Sequence, residues 1–213
     1  ILIIAGSNFI FNHINENYQK LLNPKNKLLV IFRGINLEYF NVKSVSVRKR
    51  EKLQADWKLK DENFKILLPA RLTSWKGHEK FIEALNILVE DYNHSNFQAI
   101  ILGSDQGRNV YTKKLHSMVE RYNLTQKIKF IYNCKEMPTA YSIVDVVISS
   151  SIRPEAFGRV SVEAQAMEKP IIASNLGGSK ETVLNGKSGF LYKHDDPREL
   201  AKCLNTVMEL DKD

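Results

Sequence analysis

Two carboxylates, Glu155 and Glu163, bracket the run Glu-Ala-Phe-Gly-Arg-Val-Ser-Val-Glu. A carboxylate accepts hydrogen bonds in pairs, so it suits the vicinal hydroxyls of a ribose or a hexose. Glu155 reads as a loop residue. Glu163 falls in the second turn of a helical pattern that Phe157 and Gly158 open. The N–H groups at the start of that helix would attract a phosphate or a sugar hydroxyl. Glu163 also has a blander reading, an exposed helix glutamate paired with a cation. Against it, Val160, Val162, Ala164 and Ala166 are apolar or small. The helix is therefore expected to be buried, and a buried carboxylate needs partners.

A second stretch supplies cations. Residues 69–77 read P-A-R-L-T-S-W-K-G, with Arg71 and Lys76 just ahead of a helical pattern. A guanidinium grips a phosphate through two parallel bonds, while an ammonium acts as a compact point charge. The helix beginning after Gly77 would add its own positive end. The spacing is not that of a P-loop, which needs G-x-x-x-x-G-K-[ST]. Taken alone, the two cations fit a solvated loop equally well. Gly103 ends a strand expected over 97–102, and Gly177 and Gly178 follow another expected over 170–174. Either turn has a purely geometric explanation.

These residues need a scaffold that brings loop ends together. Residues 1–7 read as a strand, 9–20 as a helix capped by Ser7 or Asn8, and 28–32 as a second apolar run. Residues 41–52 are polar and basic and read as a linker leading into a helix, with a domain boundary between 42 and 43. Strands are then expected at 65–68, 97–102, 128–132, 145–149, 170–174 and 189–192. Helices are expected at 77–92, 109–122, 136–142, 158–167, 179–184 and 197–210. Short, mostly continuous apolar strands alternating with helices specify a parallel sheet covered on both faces. The fold class is therefore α/β, a doubly wound Rossmann-like domain of about six strands. Such sheets bind ligands at the carboxyl ends of their strands.

Composition sets outer limits. The chain has 213 residues, 43% hydrophobic and 26% charged, as in an ordinary globular protein. It opens on Ile1 inside an apolar run and reads as a piece of a longer polypeptide. The net charge of +7 favours anionic partners. The basic run over 48–52 reads as a solvated helix face; without interleaved aromatics it does not resemble a single-strand nucleic-acid site. The two cysteines, Cys134 and Cys203, have neither disulfide nor zinc spacing and read as packing residues in a reducing, cytoplasmic setting. The five histidines show no metal-ligand spacing, and there is no G-x-S-x-G nucleophile elbow. No metal and no cofactor are expected.

Taken together, these motifs resemble those of the retaining glycosyltransferases of family 4, which have the GT-B fold of two facing Rossmann-like domains. The Glu155–Glu163 run is similar to that family's Glu-x7-Glu motif. A-R-L-T-S-W-K-G is similar to its G-R-L-x-x-x-K-G loop, with Ala70 in the usual glycine position. N-L-G-G-S-K-E-T-V and G-K-S-G-F-L resemble the segment after the motif, and residues 4–18 and 31–40 resemble the end of the first domain and the interdomain segment. The resemblance implies residues 1–42 on the acceptor side and 43–213 as the donor-binding domain. It implies that Arg71 and Lys76 neutralise a donor diphosphate. Glu155 would contact the donor sugar, and Glu163 the ribose. Gly103 would sit beside the nucleotide, with residues 132–137 flanking the base. Ala156, Phe157 and Gly158 would offer backbone N–H groups. The implied donor is a UDP- or GDP-linked sugar, and the implied acceptor a glycan or lipid-linked glycan. A peripheral position at the inner face of a membrane is compatible with the positive charge. Two other readings stay open: a remnant that only binds nucleotide, and a GT-B sugar-nucleotide epimerase or phosphorylase.

Overall fold

The computed structural model describes residues 1–18, 27–107 and 109–210. Six strands form one parallel sheet: β3 (Phe64–Pro69), β4 (Phe97–Leu102), β5 (Ile128–Ile131), β6 (Val146–Ser149), β7 (Ile171–Ser174) and β8 (Gly189–Tyr192), in the order β5-β4-β3-β6-β7-β8. All residues of β4 and of β6 are buried. This is the burial expected of a sheet covered on both faces. Side chains alternate between the faces. Ile66 and Leu68 join one core with Phe81, Leu85 and Leu204, while Leu67 joins the other with Tyr141, Val147 and Ala164.

The strand order matters for function. From β3 the chain builds outward through β4 and β5, then returns to place β6 against β3 and builds outward the other way. Successive crossovers therefore diverge at the β3–β6 pair, which opens a crevice at the carboxyl ends of those two strands. The loops leaving them, 70–77 and 150–158, carry the two motifs.

The helices are α3 (His78–Glu90), α4 (Asn109–Arg121), α5 (Met137–Ser142), α6 (Arg159–Ala166), α7 (Ser179–Thr182) and α8 (Pro197–Leu210). They match the expected elements, α8 at both ends and the others to within one or two residues at each end. Residues 41–52, expected as a linker leading into a helix, contain a 3-10 turn, Val42–Ser44, followed directly by α2 (Val47–Asp56). Ser46 starts α2 by accepting a bond from the Lys49 N–H, a normal N-cap. The basic run on α2 is a surface face, with Lys49 paired to Glu136 at 2.9 Å. Both cysteines are half-buried, and burial raises their thiol pKa values, that of Cys203 to about 11.

A separate two-stranded parallel sheet pairs β1 (Leu2–Ala5) with β2 (Lys27–Val30), and α1 (Asn8–Tyr18) follows β1. The helix expected over 9–20 thus begins one residue early, and Gln19 and Lys20 lie outside the described residues. Ser7 caps α1 by accepting from the Ile10 N–H at 3.1 Å, and its own hydroxyl donates to the Ala156 carbonyl at 2.5 Å. The first two N–H groups of α1, those of Asn8 and Phe9, donate to the Glu181 carboxylate at 2.8 and 2.6 Å. The Glu181 carboxylate, carried by α7, therefore sits on the positive end of α1.

Candidate functional site

The loop after β3 places Arg71 and Lys76 differently. Arg71 is exposed and lines a groove of about 290 Å³ with Gly103, Tyr132, Asn133, Cys134 and Met137. Gly103 forms its floor: a Cβ there would lie 2.1 Å from the Ala70 carbonyl oxygen, so no larger residue fits without moving backbone. Lys76 ends a short 3-10 turn, Ser74–Lys76, and points across the crevice. Its Nζ lies 2.7 Å from Glu155 Oε1, and the two side chains are only 12% and 15% exposed. The same ammonium lies 4.4 Å from the centre of the Trp75 ring, a cation–π contact. Behind Lys76, α3 starts at Gly77 without a side-chain cap.

Glu155 is held firmly. Ser151 Oγ donates to its Oε1 at 2.5 Å, so both of these side-chain bonds fall on one oxygen. Its carbonyl accepts from the Gly178 N–H at 2.8 Å. The glycine pair is thus packed against the backbone of the motif loop: an added Cβ would lie 2.6 Å from the Glu155 carbonyl oxygen at Gly177 and 2.5 Å from Phe157 Cα at Gly178. The two motif loops are stitched together as well, by Ser150 Oγ to the Lys76 carbonyl at 3.0 Å and the Ile152 N–H to the Trp75 carbonyl at 2.8 Å.

Glu163 lies on the inner face of α6 and is 8% exposed. It is buried and paired at once, so the two readings of this residue combine. Tyr141 donates to Oε2 at 2.8 Å, and Arg159, one turn earlier, donates to Oε1 at 2.9 Å. The carboxylate opens on a cavity of about 460 Å³ whose other walls include Asn36, Tyr39, Phe40 and Met137. Met137 is shared with the Arg71 groove. The two cavities are neighbours along the carboxyl edge of the sheet. Phe157 is buried, so only its backbone can face a ligand, and Gly158 caps α6 in a left-handed conformation.

Sequence reasoning did not single out Trp75, Ser151, Tyr141 or Arg159 as contributors. Arg159 carried a usable signal, its i,i+4 spacing from Glu163. Tyr141 carried none, because its partner is set by packing of α5 on α6.

His78 opens α3 directly behind Lys76 and is fully buried. Burial lowers its pKa to about 4, against the opposing pull of the Ala70 and Thr73 carbonyls. The folded state thus keeps a neutral imidazole, while the unfolded chain takes up a proton below about pH 6.5. Stability should therefore fall as pH drops from about 6.5 to about 4, by about 3 kcal/mol in all. Urea unfolding at pH 7 and at pH 4 should show this loss, and His78→Gln should remove it.

Among the described residues, no helix is long and apolar enough to cross a membrane, and no cluster of three or more His, Cys, Asp or Glu residues is placed to hold a metal ion.

The fold has close counterparts. A glycosyltransferase from Rickettsia africae superposes with a TM-score of 0.90 at 34% identity, over 97% of this chain and 53% of that one. Anabaena HepE, solved in complex with UDP and glucose, superposes with a TM-score of 0.86 at 30% identity, over 99% of this chain and 54% of that one. HepE has also been solved with UDP-glucose. Spore coat protein SA of Bacillus subtilis is 27% identical over 97% of this chain and 55% of its own length. The chain thus spans about half the length of the relatives it matches. The six-stranded sheet is the carboxy-terminal half of a GT-B fold. Residues 49–213 match the family described as Glycosyl transferases group 1, and the chain belongs to that family.

Proposed function

We propose that this chain is the donor-binding part of a retaining glycosyltransferase of family 4 that takes its sugar from a UDP-linked donor. The observation that carries this reading is the meeting of Lys76 and Glu155 at 2.7 Å over the β3–β6 crevice, beside the uncapped start of α3. A cation and a helix N-terminus at that point suit a diphosphate leaving group. Arg71 adds a second cation from the neighbouring groove, where residues 132–137 receive the base beside Gly103. Glu163 takes the ribose hydroxyls, and Glu155 the sugar hydroxyls near the reacting carbon. The backbone N–H groups of Phe157 and Gly158 serve the sugar and its phosphate. A UDP donor is favoured by the likeness to HepE, which binds UDP and UDP-glucose.

In the reaction, the bond between the anomeric carbon and the diphosphate oxygen breaks and a bond to the acceptor oxygen forms on the same face. The acceptor proton passes to the departing phosphate oxygen. Lys76, Arg71 and the α3 terminus stabilise the negative charge that develops there, with no metal or other cofactor assigned. We divide the chain at 42/43, with residues 1–42 on the acceptor side. The acceptor is a glycan or lipid-linked glycan of the cell envelope, approached from the inner face of the membrane. The net charge of +7 suits an anionic surface.

Calorimetric titration of UDP and GDP, separately, into the folded chain tests the reading. UDP should bind and GDP should bind at least tenfold more weakly. Tighter binding of GDP would replace the base assignment and keep the site. Binding of neither, by a chain that unfolds cooperatively, would overturn the site.

A further inference from the structure

Tyr141 is, with Tyr192, among the largest fully buried side chains of the described residues. A buried hydroxyl must find a partner, and this one finds a carboxylate, Glu163 Oε2, at 2.8 Å. Burial, and after it the Glu163 charge, hold the phenol pKa well above 10, so Tyr141 remains a donor at any working pH. Its ring is fixed edge-on against Phe40, with centroids 6.1 Å apart. Arg159 approaches the other oxygen from the solvent side and is itself 65% exposed. The carboxylate is therefore clamped between a rigid donor in the core and a mobile-stemmed one outside. Each oxygen keeps acceptor capacity beyond its single bond, and the group forms part of the wall of the cavity shared with Asn36 and Met137.

A carboxylate of fixed plane on a cavity wall can take both hydroxyls of a vicinal diol. If one hydroxyl is missing, the second acceptor position of one oxygen is covered by the ligand and left unfilled, and sites of this kind reject the deficient analogue. A carboxylate free to rotate could turn toward the remaining hydroxyl or toward water, and would discriminate less. We propose that Tyr141 is a positioning residue: by fixing Glu163 it makes the site select ribonucleotides over 2′-deoxyribonucleotides. This rests on the reading of the Glu163 cavity as the ribose site. It goes further by assigning the selectivity to a core tyrosine that does not touch the ligand.

The test compares UDP with 2′-deoxy-UDP by calorimetry, or the guanine pair if GDP proves to be the bound nucleotide. The wild-type chain should favour the ribonucleotide by at least about tenfold. Tyr141→Phe should cut that ratio to about threefold or less, with the loss falling on the ribonucleotide. A merely structural role would weaken both ligands alike and leave the ratio unchanged. Arg159→Gln should keep most of the ratio. A wild-type chain without preference would sink the ribose reading itself. A wild-type preference lost in Glu163→Gln but intact in Tyr141→Phe would leave that reading standing and sink the role of Tyr141. Should Tyr141→Phe not fold, 3-fluorotyrosine at position 141 gives an independent signal. UDP should shift its fluorine resonance clearly more than 2′-deoxy-UDP does, and equal shifts would overturn the proposal.

Discussion

Lys76→Ala is expected to weaken nucleoside diphosphate binding at least tenfold, or about 1.4 kcal/mol. It should also destabilise the fold by about 1–3 kcal/mol, because it strands a carboxylate. Lys76 and Glu155 are 12% and 15% exposed and meet at 2.7 Å. Removing one partner leaves the other charge poorly solvated, and that penalty exceeds the net worth of the pair. The two effects can be separated. Lys76→Met combined with Glu155→Gln removes both charges while Ser151 still has an oxygen to bond. That pair should regain stability to within about 1 kcal/mol of wild type and still bind the diphosphate as weakly as Lys76→Ala. Urea unfolding and calorimetry on the same samples decide it. Affinity that returns along with stability would mean that Lys76 acts on the fold and not on the phosphate.

The largest loss of stability is expected from Gly77→Ala. Gly77 has φ +73°, and an added Cβ would lie 1.8 Å from the Ser150 carbonyl oxygen. The left-handed conformation alone costs a non-glycine residue roughly 1–2 kcal/mol. The clash adds more, because the obstacle is backbone at the end of β6 and not a side chain that can turn away. A total of about 3 kcal/mol or more would lower the melting temperature by roughly 6–12 °C in a chain of this size. Gly186→Ala is the control. Its φ is +76°, but nothing lies within 4 Å of the added carbon, so only the conformational cost of about 1–2 kcal/mol applies. Similar melting curves for the two variants would show that the close approach at Gly77 is not a constraint. The same substitution should also impair diphosphate binding, since moving Ser150 shifts the loop that carries Glu155.

The elements that were easiest to read are those whose pattern is local. The run over 97–102 is β4 to the residue, because a strand buried on both faces is a mostly apolar run, interrupted here by Gln98, whose side chain accepts the Lys60 N–H. Helix α8 spans 197–210 as expected, with Pro197 at its first position, where a missing N–H costs nothing. Ends slipped where a residue bonds without continuing a strand. The sequence pattern starts β6 at Asp145, but the strand starts at Val146: the Asp145 N–H donates to the Lys65 carbonyl at 2.9 Å, and its carboxylate takes the Lys65 N–H at 2.6 Å in place of a backbone carbonyl. The motif residues were legible as types, though not as partners. Lys76 and Glu155 are 79 positions apart, and only the return of the chain to lay β6 beside β3 brings them together. The same holds for Ser151 beside Glu155. No periodicity encodes strand order, so the clamp on Glu163 could be read only as far as Arg159, its neighbour on the same helix.

The Glu181 contact with α1 has a mechanical consequence. A chain crossing once between two sheets would leave them free to swing about that crossing. Here a second attachment, made by Asn8 and Phe9 N–H on Glu181 and by Ser7 on Ala156, removes that rotational freedom without any covalent link. At about 1 kcal/mol net for each such bond, the bonded arrangement is favoured by a factor on the order of a hundred. The two bonds to Glu181 are solvent-exposed, so dissolved ions weaken them. The stiffness between the two sheets is therefore set partly by the ionic strength of the surroundings, and a stiff joint in dilute buffer becomes a looser one in concentrated salt.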